Sequence, residues 1–211
     1  MTIRQEMVEK SIAEFWNVRD DLKDRSLEQL QSIVSADRLP YAVCAVNITG
    51  DLNVGMMIRA ASLLGAERFI LYGSTKFDRR STVGAQNYID LVKVNAKENQ
   101  HSQEIDYSLF HPTMIKYRYI PVFIETDGMP LVDGLTETLK MIKVGTDPTY
   151  NYKPCLVFGN EGIGLPKTLT DKMIKLAITQ RGVLRSFNVS SAASIAMYEM
   201  SKILSPSSSP A

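Results

Sequence analysis

The 211-residue sequence predicts an α/β fold, a parallel sheet flanked by helices. Apolar runs of strand length alternate with helical repeats from residue 41 onward, and those runs are continuous rather than alternating in polarity. A strand that is apolar at nearly every position is buried on both sides, which is the habit of parallel sheets covered by helices. No internal repeat is visible, and the length fits one domain with short appendages.

Residues 1–38 read as a helical lead-in: in SIAEFWNVRDD and SLEQLQSIVSAD apolar side chains recur at three- and four-residue steps, and Ser26 is placed as an N-cap. Leu39-Pro40 is expected to break this pattern. YAVCAVNI (41–48) is a β-rich run. Residues 53–64 set Val54, Met57, Ile58, Ala61 and Leu64 on one helical face, with Gly65 where a C-terminal cap belongs. RFILYG (68–73) is the next strand, STKFDRRSTVGAQN a polar loop, and LVKVN (91–95) a short strand.

Residues 106–117 form a weaker helix, 119–126 a strand and 131–142 a helix, followed by the loop VGTDPTYNYKP. CLVFGN (155–160) is a buried strand, and Pro166 suits the first turn of a helix. Residues 174–179 are the last strand and 189–204 the last helix. The tail SPSSSPA (205–211) is expected to be disordered on composition.

Lys plus Arg number 24 and Asp plus Glu 23, so no global positive charge advertises a nucleic-acid partner. An RNA would have to be drawn by a local patch. No apolar run reaches membrane-spanning length and the N-terminus lacks a signal-peptide core, so a cytoplasmic enzyme with no membrane contact is expected. The two cysteines, Cys44 and Cys155, lie inside apolar runs and read as reduced core thiols. His101 and His111 have no ligand partners at metal spacing, so no metal is expected.

Three stretches carry candidate chemistry. In CLVFGNEGIGLPKTL a strand runs into a glycine-rich turn and a helix start; Gly159, Gly162 and Gly164 permit close backbone approach, and free amides at the helix start favour an acceptor-rich ligand. The spacing G-x-x-G-x-G is neither a dinucleotide fingerprint nor a P-loop, and Glu161 would repel a pyrophosphate. A tight turn without a ligand and a cofactor loop are equally compatible with it. In RSFNVSSAAS, Asn188 is a good N-cap, and the small residues after it allow close approach by another helix or a ligand. In NITGDLNVGMMIRAA, Asn47 and Asn53 stand near a strand's carboxyl end, where α/β ligands gather. Arg59 is either a surface arginine covering apolar neighbours or a cation aimed at a phosphate or hydroxyl.

Together the three stretches resemble the three motifs of the SpoU/TrmH branch of the SPOUT RNA methyltransferases. Asn53 to Arg59 followed by AASLLGA matches the first, FGNEGIGLP the second, and Ser186-Phe187-Asn188-Val189-Ser190-Ser191-Ala192-Ala193 the third. The resemblance covers residues 41–204, and RGVLRSFNV and VGAQNYI are most similar to the tRNA guanosine 2′-O-methyltransferases of the family. It implies a methyltransferase domain over 39–204 whose C-terminal part is threaded in a deep trefoil knot, a rare exception to un-knotted chains.

The resemblance further implies S-adenosylmethionine as cofactor and a homodimer with its active site near the subunit interface. Gly159, Ile178, Leu184, Phe187 and Glu125 would contact the adenosyl group, Glu161, Ser186 and Asn188 would shape the reaction site, and Asn53 would position Arg59 or the ribose. Arg59 would either take the proton of a ribose 2′-hydroxyl or clamp a phosphate. Because a guanidinium stays protonated, the clamp is the better-founded role. Apart from the resemblance, Arg59, Lys76, Arg79 and Arg80, with Phe77 able to stack on a base, and Arg181 and Arg185 are the residues expected to contact RNA, against a solvated surface as the commoner reading of any one such cation.

Two positions depart from the family pattern: Phe187 replaces a usual Leu and Thr179 a frequent Pro. tRNA is the expected substrate, with guanosine favoured. The alternatives are an rRNA substrate or a non-catalytic RNA-binding protein on the same scaffold.

Overall fold

The computed structural model describes residues 17–96, 105–145 and 151–205. Residues 1–16 (which include SIAEF), His101, part of the 144–154 loop and the tail beyond Ser205 lie outside the described residues. In chain order the elements are α1 (Leu27–Ala36), β1 (Leu39–Val46), α2 (Asp51–Leu63), β2 (Ala66–Tyr72), the short α3 (Arg79–Thr82), β3 (Asp90–Val94), α4 (Phe110–Tyr117), β4 (Tyr119–Pro130), α5 (Leu131–Gly145), β5 (Lys153–Phe158), the short α6 (Lys167–Thr170), β6 (Ile174–Ala177) and α7 (Val189–Leu204). Among the described residues no helix is long and apolar enough to cross a membrane.

The six strands form one sheet in the order β3-β2-β1-β5-β4-β6, and every neighbouring pair is parallel. The central strands β1 and β5 are buried almost throughout, while the edge strands β3 and β6 are mostly half-buried. Alternate residues of one strand feed opposite cores. Val43 and Ala45 join Phe69, Leu71 and Leu156 beneath α2, α5 and α7, whereas Ala42 and Cys44 join Ile70, Cys155 and Val157 on the face covered by α4. Both thiols are fully buried and free, and burial holds each well above the ordinary range, so they are inert core residues.

Local chemistry sets several boundaries. Ser26 caps α1 with a full capping box, its side chain accepting from the Gln29 amide while Gln29 accepts from the Ser26 amide. Gly65 ends α2 at φ +76°, the left-handed conformation expected of it. The helical pattern does end before Leu39-Pro40, and both residues open β1, whose register shifts between Leu39 and Ala42. A proline at the start of a strand costs the ladder little.

The polar loop after β2 contains α3 and a 3₁₀ turn at Ala85–Asn87. Strand β4 runs four residues past its expected end, because a break in its pairing with β6 between Ile124 and Met129 lets it resume. Gly128 makes this possible: a Cβ there would lie 2.5 Å from the Leu176 amide nitrogen and from the Lys175 carbonyl carbon. Those are backbone atoms and cannot swing aside. Gly128→Ala is therefore expected to lower stability by about 3 kcal/mol, the upper end of overpacking costs, read as a drop in the urea midpoint at unchanged slope.

Candidate functional site

In a parallel α/β sheet, ligands gather at strand carboxyl ends where the strand order reverses. Here that point lies between β1 and β5, since the chain proceeds from β1 toward β2 on one side and places β5 on the other. Beside it a cavity of about 500 Å³ opens at the ends of β4, β5 and β6. Its walls are the β4 end with Glu125, the glycine loop after β5 from Gly159 to Leu165, Ile178 beyond β6, and Arg185 to Val189 before α7.

The glycine loop is closed on itself. Asn160 accepts through its side-chain oxygen from the Gly162 amide (2.9 Å) and the Ile163 amide (3.2 Å), and through its carbonyl from the Gly164 amide (2.8 Å). The Leu165 amide donates to Glu125 at 3.2 Å. Four consecutive loop amides are thus satisfied within the protein and are not open to a ligand; the amides expected to be free at the start of the following helix are a separate set. The following helix, α6, has only four residues, so it adds little dipole. A polyphosphate finds no cradle here. Gly159 lets the loop fold back, because a Cβ there would stand 2.6 Å from Leu165 Cγ and 2.8 Å from the Gly164 carbonyl carbon.

Burial pushes the Glu125 carboxyl up from its ordinary range, an effect the Leu165 amide partly offsets. Across the loop, Glu161 bridges to the first strand–helix turn. It accepts from the Thr49 amide (3.4 Å), the Thr49 hydroxyl (3.5 Å) and Asn53 Nδ2 (2.9 Å). Asn53 Oδ1 in turn accepts from Asn188 Nδ2 at 3.2 Å. Asn188 also caps α7, accepting from the Ser190 amide (2.9 Å) and the Ser190 hydroxyl (2.6 Å). One chain of side-chain hydrogen bonds therefore joins all three stretches singled out in the sequence. Of the small residues opening α7, Ser190 and Ala193 are buried within the subunit, with the Ser190 hydroxyl against Met56 of α2, while Ala192 lines the cavity and Ser191 is exposed.

Of the sequence candidates, Glu125, Gly159, Glu161, Ile178, Arg185, Ser186, Phe187 and Asn188 lie on the cavity wall. Leu184 does not; it is 79% exposed, as is most of the segment around it. Arg181 is exposed and outside the wall. Asn53 does not touch Arg59. At 100° per residue the two point about 120° apart around α2. Arg59 is exposed in line with the exposed side chains Leu52, Met56 and Leu63. Lys76 and Arg79 are exposed, and Arg80 is paired with Asp78 at 2.7 Å. Phe77 packs against the core with Lys93 over its ring, so it is not the free stacking aromatic expected from the loop.

Thr49 and Asn160 were not legible as site residues. Thr49 is marked by nothing but its place after β1, and Asn160 by nothing but its place between two motif residues.

The fold and this site define an α/β domain with a closed glycine loop and an asparagine-capped final helix meeting at the switch point. The chain belongs to the SpoU rRNA methylase family, whose model matches residues 40–198. Comparison with curated proteins gives no significant match. Among solved structures it is similar to the SpoU methyltransferase AviRb from Streptomyces viridochromogenes in complex with the cofactor AdoMet (22% identity, TM-score 0.57), covering 79% of this chain and 58% of that one. It is also similar to the A. aeolicus TrmH/SpoU tRNA modifying enzyme (19% identity, TM-score 0.62), covering 83% and 81%. A third neighbour, described in terms of 2-OH methylation of C/U34 on tRNA, has 18% identity and TM-score 0.60, covering 79% and 97%. At these identities the structural likeness establishes the shared parallel-sheet fold.

Proposed function

We propose that this protein transfers a methyl group from S-adenosylmethionine to a ribose 2′-hydroxyl of tRNA, with guanosine as the favoured nucleotide. The observation that carries the reading is the site itself: a cavity suited in size to a nucleoside cofactor, walled by a loop whose amides are already used. A sulfonium nucleoside, cationic and without phosphates, fits such a wall. Glu125 offers a carboxylate for a cofactor hydroxyl, and Ile124, Ile178 and Phe187 offer apolar cover. Bound there, S-adenosylmethionine supplies a methyl group on sulfur for in-line transfer to oxygen.

The protein's own part is positioning and charge. The Glu161–Asn53–Asn188 chain fixes the site's rim, and Arg59 acts as a permanent cation that holds an RNA phosphate and stabilises the developing alkoxide. The hydroxyl proton leaves to phosphate or water. Arg59 lies at the middle of the exposed stripe Leu52, Met56 and Leu63, at 60, 52 and 76% exposure. Such a stripe supports a homodimer in which Arg59 completes the partner's site. The reading includes the family's C-terminal trefoil knot, which family membership supports. It also includes a cytoplasmic setting, for which the two free buried thiols are the support.

tRNA is favoured because the two neighbours described with tRNA are matched over 81 and 97% of their own length. Lys76 and Arg79, exposed in the segment whose Asp78 amide bonds the Asp51 carbonyl at the start of α2, supply cations beside the site. The family description, which names rRNA, favours rRNA as the second reading. Transfer of tritium from labelled S-adenosylmethionine to tRNA and to rRNA, with nucleoside analysis, decides between them. A 2′-O-methylnucleoside in tRNA is the expected product; label in rRNA alone would move the substrate. Absence of cofactor binding would leave a non-catalytic RNA-binding protein.

A further inference from the structure

Asn160 stands between two motif residues, yet its side chain makes as many of the site's internal hydrogen bonds as that of Glu161 beside it. Its amide nitrogen donates to the Asn47 carbonyl at the end of β1 (2.8 Å). Its amide oxygen accepts from Gly162 and Ile163 (2.9 and 3.2 Å). One group thus holds the glycine loop in shape and fastens that loop across the switch point to the first strand. Only a carboxamide of this length supplies a donor at one end and an acceptor at the other.

The receiving residue is unusual too. Asn47 takes φ +48°, a left-handed conformation that few residues other than Gly, Asn and Asp adopt readily. What Asn160 requires of it is the backbone carbonyl alone.

We propose that Asn160 is a positioning residue: it latches the glycine loop to the end of β1 and so sets the cavity wall that receives the cofactor. The inference rests on the methyltransferase reading for its ligand, but the latch itself is measurable without one. Glu161, the next residue, reaches the same turn through Thr49 and Asn53. Loss of the latch therefore loosens the loop without detaching it.

The test compares the full-length protein with Asn160→Ala, Asn160→Asp and Asn47→Gly. Amide exchange is read at Gly162 and Ile163, and S-adenosylmethionine affinity by calorimetry. Asn160→Ala is expected to speed exchange at both amides and to weaken cofactor binding by about tenfold, each an effect of leaving partners unsatisfied. Asn160→Asp keeps an acceptor for the amides but sets a carboxylate against the Asn47 carbonyl. It should retain slow exchange while binding cofactor as poorly as the alanine variant. Asn47→Gly keeps the carbonyl and tolerates the backbone, so it should match wild type in both readouts.

The KM for RNA should not move in any variant. Exchange and affinity in Asn160→Ala both within about twofold of wild type would overturn the latch. So would equal exchange in the Ala and Asp variants. Should Asn160→Ala fail to fold, the Asp and Asn47→Gly pair still decides. A wild-type protein that binds no S-adenosylmethionine would refute the proposed function, and exchange alone would then judge Asn160.

Discussion

Arg59→Ala is expected to reduce methyl transfer to RNA by about 100- to 1,000-fold, the cost of removing one group that stabilises developing oxygen charge, with cofactor affinity unchanged. The separation follows from where the residue stands. Arg59 is exposed, is not part of the cavity wall, and makes no hydrogen bond or ion pair among the described residues. Its removal leaves no buried partner stranded, so stability should change by no more than about 0.5 kcal/mol. Single-turnover transfer and calorimetry on the same preparation read the two quantities.

A second arm tests the proposed dimer and, with it, which subunit's site Arg59 serves. In a mixed dimer of Arg59→Ala with Gly159→Val, one cavity is intact and faces a partner carrying Arg59. Gly159→Val destroys only its own cavity, because its side chain must enter the Leu165 and Gly164 backbone. Recovered activity in the mixture supports action across the interface. Normal turnover by Arg59→Ala alone would end any direct role for the guanidinium.

How far the sequence disclosed this site depends on which physical signal each part left. The buried strands were readable because burial on both faces demands apolar residues without interruption, as in YAVCAV and CLVF. The start of helix α7 was readable, since Asn188 is a capping residue by chemistry and its bonds to the Ser190 and Ser191 amides are local. The extension of β4 was not readable. It depends on Gly128 passing Lys175 and Leu176, residues nearly fifty positions away.

The glycine loop shows the same divide. Its turn was legible from Gly159, Gly162 and Gly164, but the fate of its amides was decided by Asn160 and by Glu125 on another strand. Arg59 carried its spacing from Asn53 into the sequence, and that spacing invited a contact. The helix turns the two side chains apart instead, and Asn53 is taken by Glu161 and Asn188. Motif spacing identifies which residues belong to a site; the helical period and long-range partners determine which of them touch.

Asn53→Asp should produce an enzyme that is strongly impaired at pH 8 and recovers as the solution is acidified. In the native protein Asn53 donates to Glu161 at 2.9 Å and accepts from Asn188 at 3.2 Å, a polarity that only an amide satisfies at both ends. The aspartate keeps the acceptor facing Asn188 but turns the donor into a second anionic oxygen beside Glu161. Two carboxylates at that distance repel, and such a pair takes up one proton more readily than a lone carboxylate does. The shared proton restores a donor between them, so the bridge reforms on the acid side. The sign is therefore a rise in the variant's activity relative to wild type as pH falls, opposite to what general acid inactivation would give. Loss of the bridge is expected to cost about 10- to 100-fold at high pH, the range for a hydrogen bond to a charged group. The check is the ratio of variant to wild-type kcat between pH 8 and pH 5, since a ratio cancels effects of acid on the RNA and on the remaining groups. A ratio that stays flat would show that Asn53 does not act through Glu161, and Asn53→Leu, which has no proton to recover, should give that flat line as the reference.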